Sequence, residues 1–232
     1  MEAEKEEKSK EQEQEQPSRR KDDIVIYTIA ALVIIFGIVF LVPRFFENGN
    51  ETLDQLHEKN LRGKLSAEKG YVYKDVYSFV YYAGLWYTQL STPTGETLFN
   101  IPFHYGPRDV EDLEIIGNVN YTNLDDYDNF FVTFNPLDED LNYIGVAIGE
   151  FDNIIIRVFG KGIVAACSQN ETSACTARPI VECNSTDAPV FYFASEPETN
   201  VLYLDNCVII SGKREDLFKA TDRVLFDLLG IM

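Results

Sequence analysis

Hydrophobic and polar positions divide the chain into stretches that need different solvents. Residues 1–23 carry almost no core-forming side chains, and Met1 to Gln16 are nearly all Glu, Lys and Gln. Such a segment cannot offset its ordering entropy by burial, so a disordered tail is expected. From Ile24 to Val42, nineteen residues pass without a charge, IVIYTIAALVIIFGIVFLV. As a helix this run spans about 28 Å, the thickness of a hydrocarbon core. It ends in Leu41-Val42-Pro43-Arg44-Phe45-Phe46, with none of the small residues of a cleavage site. The pattern therefore predicts an uncleaved transmembrane helix over 24–43.

Residues 44–70 are charged and weakly apolar, which reads as a stalk or linker with a turn or two of helix around Leu53 to Leu61 and a solvated His57. From Tyr71 the texture changes to aromatic and β-branched runs separated by turns. Leu85–Leu90 and Thr97–Phe103 flank Thr92-Pro93-Thr94-Gly95-Glu96, the composition of a hairpin loop, and Pro102 gives the second strand an edge. Phe130–Phe134 reads as a strand stopped by Asn135-Pro136. Leu141, Ile144, Ile148, Phe151, Ile155 and Val158 then recur at helical spacing, with Gly160 or Gly162 as the stop. Gly162–Ala166 follows as a strand, so a crossover unit with two parallel strands is expected. Short apolar runs at 179–183, 189–193, 201–204 and 207–211 read as further strands. Leu217, Ala220, Val224, Leu225 and Leu228 give a closing helix one apolar face, to dock on the sheet. The fold class is α+β: a transmembrane helix, then residues 71–232 as one mixed-sheet domain with two main helices.

Charge sets orientation. Six Lys or Arg lie within twenty residues before the apolar run and three within twenty after it, with Arg19-Arg20-Lys21 close to the membrane. The N-terminus is therefore expected in the cytoplasm and the large domain outside. The chain holds 38 acidic against 20 basic residues, net −18, which argues against a nucleic-acid partner.

All four cysteines, Cys167, Cys175, Cys183 and Cys207, follow the anchor, as a disulfide framework in an exported domain would. Their C-x7-C-x7-C-x23-C spacing lacks the close pairs of a structural zinc site. Of three pairings the sequential one is expected, because neighbouring strands around 179–183 and 207–210 can bring Cys183 and Cys207 together, leaving Cys167 and Cys175 to close a short loop. Sequons at Asn50, Asn120, Asn170 and Asn184 are candidate glycosylation sites.

The tail DNCVIISGKREDLFKATDRVLFDLLGIM and the segment HYGPRDVEDLEI resemble those of uncharacterised single-pass archaeal membrane proteins. The resemblance implies an extracytoplasmic compartment and brings no activity with it.

Motifs for chemistry are sparse. Gly160-Lys161 and Gly212-Lys213 lack the upstream Gly and following Ser or Thr of a phosphate loop. Asp138-Glu139-Asp140 begins like a calcium loop, but Tyr143 stands where the turn demands Gly; Asp125, Asp126 and Asp128 form a looser acidic loop read as solvated. With only His57 and His104, no metal or cofactor site is expected, and no catalytic residue is assigned. His104 beside Arg108 and Asp109 is a strand-end residue unless an acid converges on it. Aromatics from Tyr71 to Tyr87 are expected to fill a sheet's core face, with exposed members available to a protein or glycan partner. Three functions stand: a membrane-anchored binding or assembly module, an exported enzyme built on His104 and distant carboxylates, and an accessory subunit whose anchor is an interface. Gly37 stands alone in the apolar run, which weakens the last.

Overall fold

The computed structural model describes residues 32, 51–91, 98–117 and 126–232 of the chain. The expected tail, the expected transmembrane helix (apart from Leu32), Asn50, Asn120, Asp125 and the hairpin loop at 92–97 lie outside these residues. Among the described residues no helix is long and apolar enough to cross a membrane.

The residues from Leu53 onward form a mixed α+β unit with two sheets. Helix α1 (Leu53–Leu61) precedes an antiparallel sheet of β1 (Gly70–Tyr73), β2 (Tyr77–Tyr82), β3 (Leu85–Ser91) and β4 (Leu98–Phe103), laid side by side in chain order. The β3–β4 hairpin has the expected pairing, from Trp86 opposite Phe103 to Ser91 opposite Leu98, and Pro102 sits on the edge strand.

The second sheet has six strands in the order β5 (Glu114–Ile116), β9 (Asn200–Leu204), β10 (Cys207–Ser211), β8 (Val190–Ala194), β6 (Asn129–Phe134), β7 (Gly162–Ala165). Four of them, β10, β8, β6 and β7, run parallel, while β9 is antiparallel to β10 and β5 follows β9. Helix α2 (Leu141–Ile154) makes the crossover from β6 to β7. Its last turn widens into a π-turn over Ile155–Phe159 and stops at Gly160, one of the two glycines the spacing offered, in the left-handed region at φ 66°.

The sequence reading needs correction at several points here. The apolar residues belong to two sheets, because period-2 alternation says that a strand has an inner face and nothing about which sheet supplies its neighbours. Residues 179–183 form no strand. Pro179 offers only a carbonyl, to Cys167 N, and the Val181 carbonyl is taken by the Thr133 hydroxyl, so pairing ends at one Cys167–Ile180 bridge. Helix α3 (Asp216–Leu228) buries more than the one predicted face: Phe218, Thr221, Asp222 and Phe226 are buried alongside Leu217, Val224 and Leu225. It lies between the sheets, with Phe226 against Phe79 of β2 and Phe103 of β4, while other residues of α3 contact β9 and β10. One continuous core results.

Helix α1 covers the opposite face of the four-stranded sheet. His57 is 1% exposed, against the expectation of a solvated side chain. Its Nδ1 lies 2.9 Å from the Ser78 hydroxyl, and the Asn60 amide donates to Ser78 Oγ and to the carbonyls of Tyr71 and Phe79. The correction has a simple cause: α1 is held by polar groups, which an apolar-pattern search reads as solvent-facing.

Candidate functional site

Two disulfides form, Cys167–Cys175 and Cys183–Cys207, with Cα–Cα distances of 5.9 and 5.2 Å, and no cysteine is free. Such bonds belong to an oxidising compartment. The route to the second differs from the strand-neighbour argument: Cys183 sits in the turn before β8, and the excursion from β7 to β8 folds back over the outer face of the six-stranded sheet. There Ala166, Val181, Val190 and Cys207 make a second small core. Asn170 lies exposed inside the first loop, and Asn184 exposed beside Cys183.

His104 follows β4, where the chain leaves the sheet and passes between α2 and α3. Its ring stacks on Phe218 of α3, centroids 4.3 Å apart, and its Nδ1 approaches Glu150 Oε2 of α2 to 2.9 Å. That contact lacks the angles of a hydrogen bond, so no directed bond from Glu150 fixes the ring. Beside it Asp222 accepts the Tyr105 N–H at 2.8 Å and is completely buried. Burial drives its carboxyl well above the ordinary range, opposed by the Tyr105 N–H; the Glu150 charge raises it further and the His104 N–H lowers it. Asp222 thus fixes the strand exit through the backbone N–H groups it accepts, at a position the helix periodicity had no way to mark as polar.

Arg108, flagged with His104, goes elsewhere: its guanidinium covers the Tyr71 ring at 4.1 Å. Asp109 caps the short turn that contains it by accepting the Gly106 N–H at 2.8 Å. His104, Arg108 and Asp109 therefore form no common site. Among the described residues no serine, threonine or cysteine hydrogen-bonds to the His104 ring, so the cluster has no adjacent nucleophile.

The aromatics divide by strand parity. Tyr71, Tyr73, Tyr77, Phe79, Tyr81 and Trp86 face α3, and those at the α3 end are buried, Phe79 completely. Beyond the helix the β2–β3 turn carries two ring pairs, Tyr81 with Trp86 at 5.3 Å and Tyr82 with Tyr87 at 6.4 Å, on opposite faces. Tyr81 and Tyr82 remain 45% and 39% exposed. The turn itself, Ala83-Gly84, takes positive φ at both positions, 51° and 91°, the two-residue geometry that matches strand twist.

His57 also sets a pH dependence. Burial pushes its ring down to about 4 from 6.5, against a small upward effect of Asp54. Folding therefore favours the neutral ring, and its contribution is complete above about pH 6.5 and lost as pH falls toward 4. Asp152, pushed up to about 6 by burial, has the opposite sign, since its protonated form is favoured and its contribution disappears as pH rises from 3.8. In urea titrations the His57 effect should amount to roughly 2–3 kcal/mol over that range. The His57→Asn protein should instead gain stability on acidification, and an unchanged pH profile would refute this assignment.

Comparison with protein-family models, curated proteins and solved structures finds no match to this chain.

Proposed function

We propose that the chain is a membrane-anchored module whose folded domain lies outside the cytoplasm and binds a protein partner through the β2–β3 hairpin. The exposed ring pairs at the hairpin tip carry this reading. Large aromatic rings left in water on a rigid two-residue turn give apolar contact area at little ordering cost, which is how interface anchors work. The apolar run Ile24–Val42 and the Lys/Arg bias before it support the anchor and its direction, and the disulfides support the oxidising side.

Protease added to intact cells should cut epitopes beyond residue 47 and spare one at Met1; the reverse pattern defeats the topology. Crosslinking of native membranes should recover the partner, and Tyr81→Ala with Tyr82→Ala should cut that recovery at least about tenfold. Both side chains are exposed at the hairpin tip, away from the buried core, so the melting temperature should move by only a few degrees. Full recovery with the double variant would defeat the hairpin as the contact.

An exported enzyme is the second reading, favoured by the His104–Glu150 contact. It overtakes the first if folded His104→Ala protein loses cellular function while still recovering its partner.

A further inference from the structure

The outer face of the six-stranded sheet holds an open groove of about 400 Å³ between the two disulfide-closed loops. At its base Tyr192 of β8 and Ile209 of β10 stand directly opposite each other in the parallel register. One wall is built from Asn135, at the end of β6, and Gln169 of the first loop; the other contains Glu182 and Asn184.

These walls are held in place before any ligand arrives. Gln169 Nε2 donates to Asn135 Oδ1 at 2.7 Å, and that oxygen also accepts the Leu137 N–H. Ser168 of the first loop lines the groove beside Tyr192. On the other side the Ser185 hydroxyl both accepts from the Glu182 N–H and donates to the Glu182 carbonyl, each at 2.8 Å. Preorganised amides of this kind bind without paying to order themselves.

The lining selects a chemistry. Side-chain amides and a carboxylate offer donors and acceptors around a base made of one aromatic ring and one aliphatic side chain. No Lys or Arg lines the groove, and Glu182 is its charged member, so phosphate and carboxylate ligands meet repulsion without a counter-charge. A polyhydroxylated ring with one apolar C–H face satisfies both halves. We propose that this groove binds a neutral saccharide, an inference that rests on the domain lying outside the cytoplasm. The Asn184-Ser185-Thr186 sequon stands on its rim, so the sugar has two possible sources, another molecule's glycan or the chain's own.

The test uses the full chain in a detergent that is not a glycoside. Protein from a host without N-glycosylation is examined by saturation-transfer NMR against glucose, galactose, mannose, N-acetylglucosamine and chitobiose. At least one should show contact, weakened about tenfold or more in Tyr192→Ala and in Gln169→Ala. Gln169 is a loop residue, which guards against a variant that fails to fold. Protein from a glycosylating host forms the second arm: an Asn184 glycan in the groove should give cross-peaks to the Tyr192 ring that vanish in Asn184→Gln. No sugar contact in either arm overturns the proposal, as does contact that survives both groove substitutions or is stronger for sulfated sugars. If sugar contact fails while protease places the domain outside the cell, the groove alone is refuted; a cytoplasmic domain refutes the reading beneath it.

Discussion

Phe226→Ala should destabilise the protein by about 3–5 kcal/mol and lower its melting temperature by roughly 10 °C or more. The side chain is completely buried, with ring centroids 4.5 Å from Phe103 and 5.7 Å from Phe79. It belongs to a helix that contacts both sheets, so its removal leaves a cavity that no single sheet can close by shifting. Tyr82→Ala, on the same sheet but facing water, serves as the control and should cost far less. Equilibrium urea unfolding by two probes, one on each sheet, checks both points. Non-coincident transitions would show that α3 does not unite the sheets.

Reduction of both disulfides should have an effect of the same order. Sequence separations of 8 and 24 give loop-closure contributions of about 2.6 and 3.5 kcal/mol on the chain-entropy model. Together they rival the whole stability of a typical domain, so the reduced protein should sit close to its unfolding midpoint at 37 °C. Cys183→Ser with Cys207→Ser should cost more than Cys167→Ser with Cys175→Ser, because the longer loop also fastens the excursion that covers Val190 and Ala166. Denaturant midpoints of the two double variants decide the order, and a reversal would mean that local packing outweighs loop length. Chemical labelling of any free thiol in the unreduced protein would contradict the framework itself.

Local periodicity made several elements legible: the β3–β4 hairpin, β6 with its Asn135-Pro136 stop, α2 with Gly160, and the parallel entry into β7. In each, neighbours in sequence are neighbours in space. The cysteine pairing was legible for a different reason, the small number of alternatives. Strand β5 was hidden because three residues, Glu114, Ile115 and Ile116, show no pattern, and their partners on β9 lie more than eighty positions away. The burial of His57 and Asp222 was hidden because polar residues advertise exposure, while their satisfaction comes from backbone groups brought up by folding. The groove was equally out of sight. Asn135, Gln169, Glu182 and Tyr192 come from four segments, and only the doubling back of the chain over the outer face brings them to one place.

The place of α3 in the chain bears on synthesis. The helix shared by both sheets is encoded after every strand it packs on, and β6 cannot complete its pairing until β8, some sixty residues later, has been made. A nascent chain therefore cannot close its core early. If the domain is exported as proposed, through a channel that passes extended polypeptide, this order keeps the segment passable until α3 follows it through, and the core then closes on the far side.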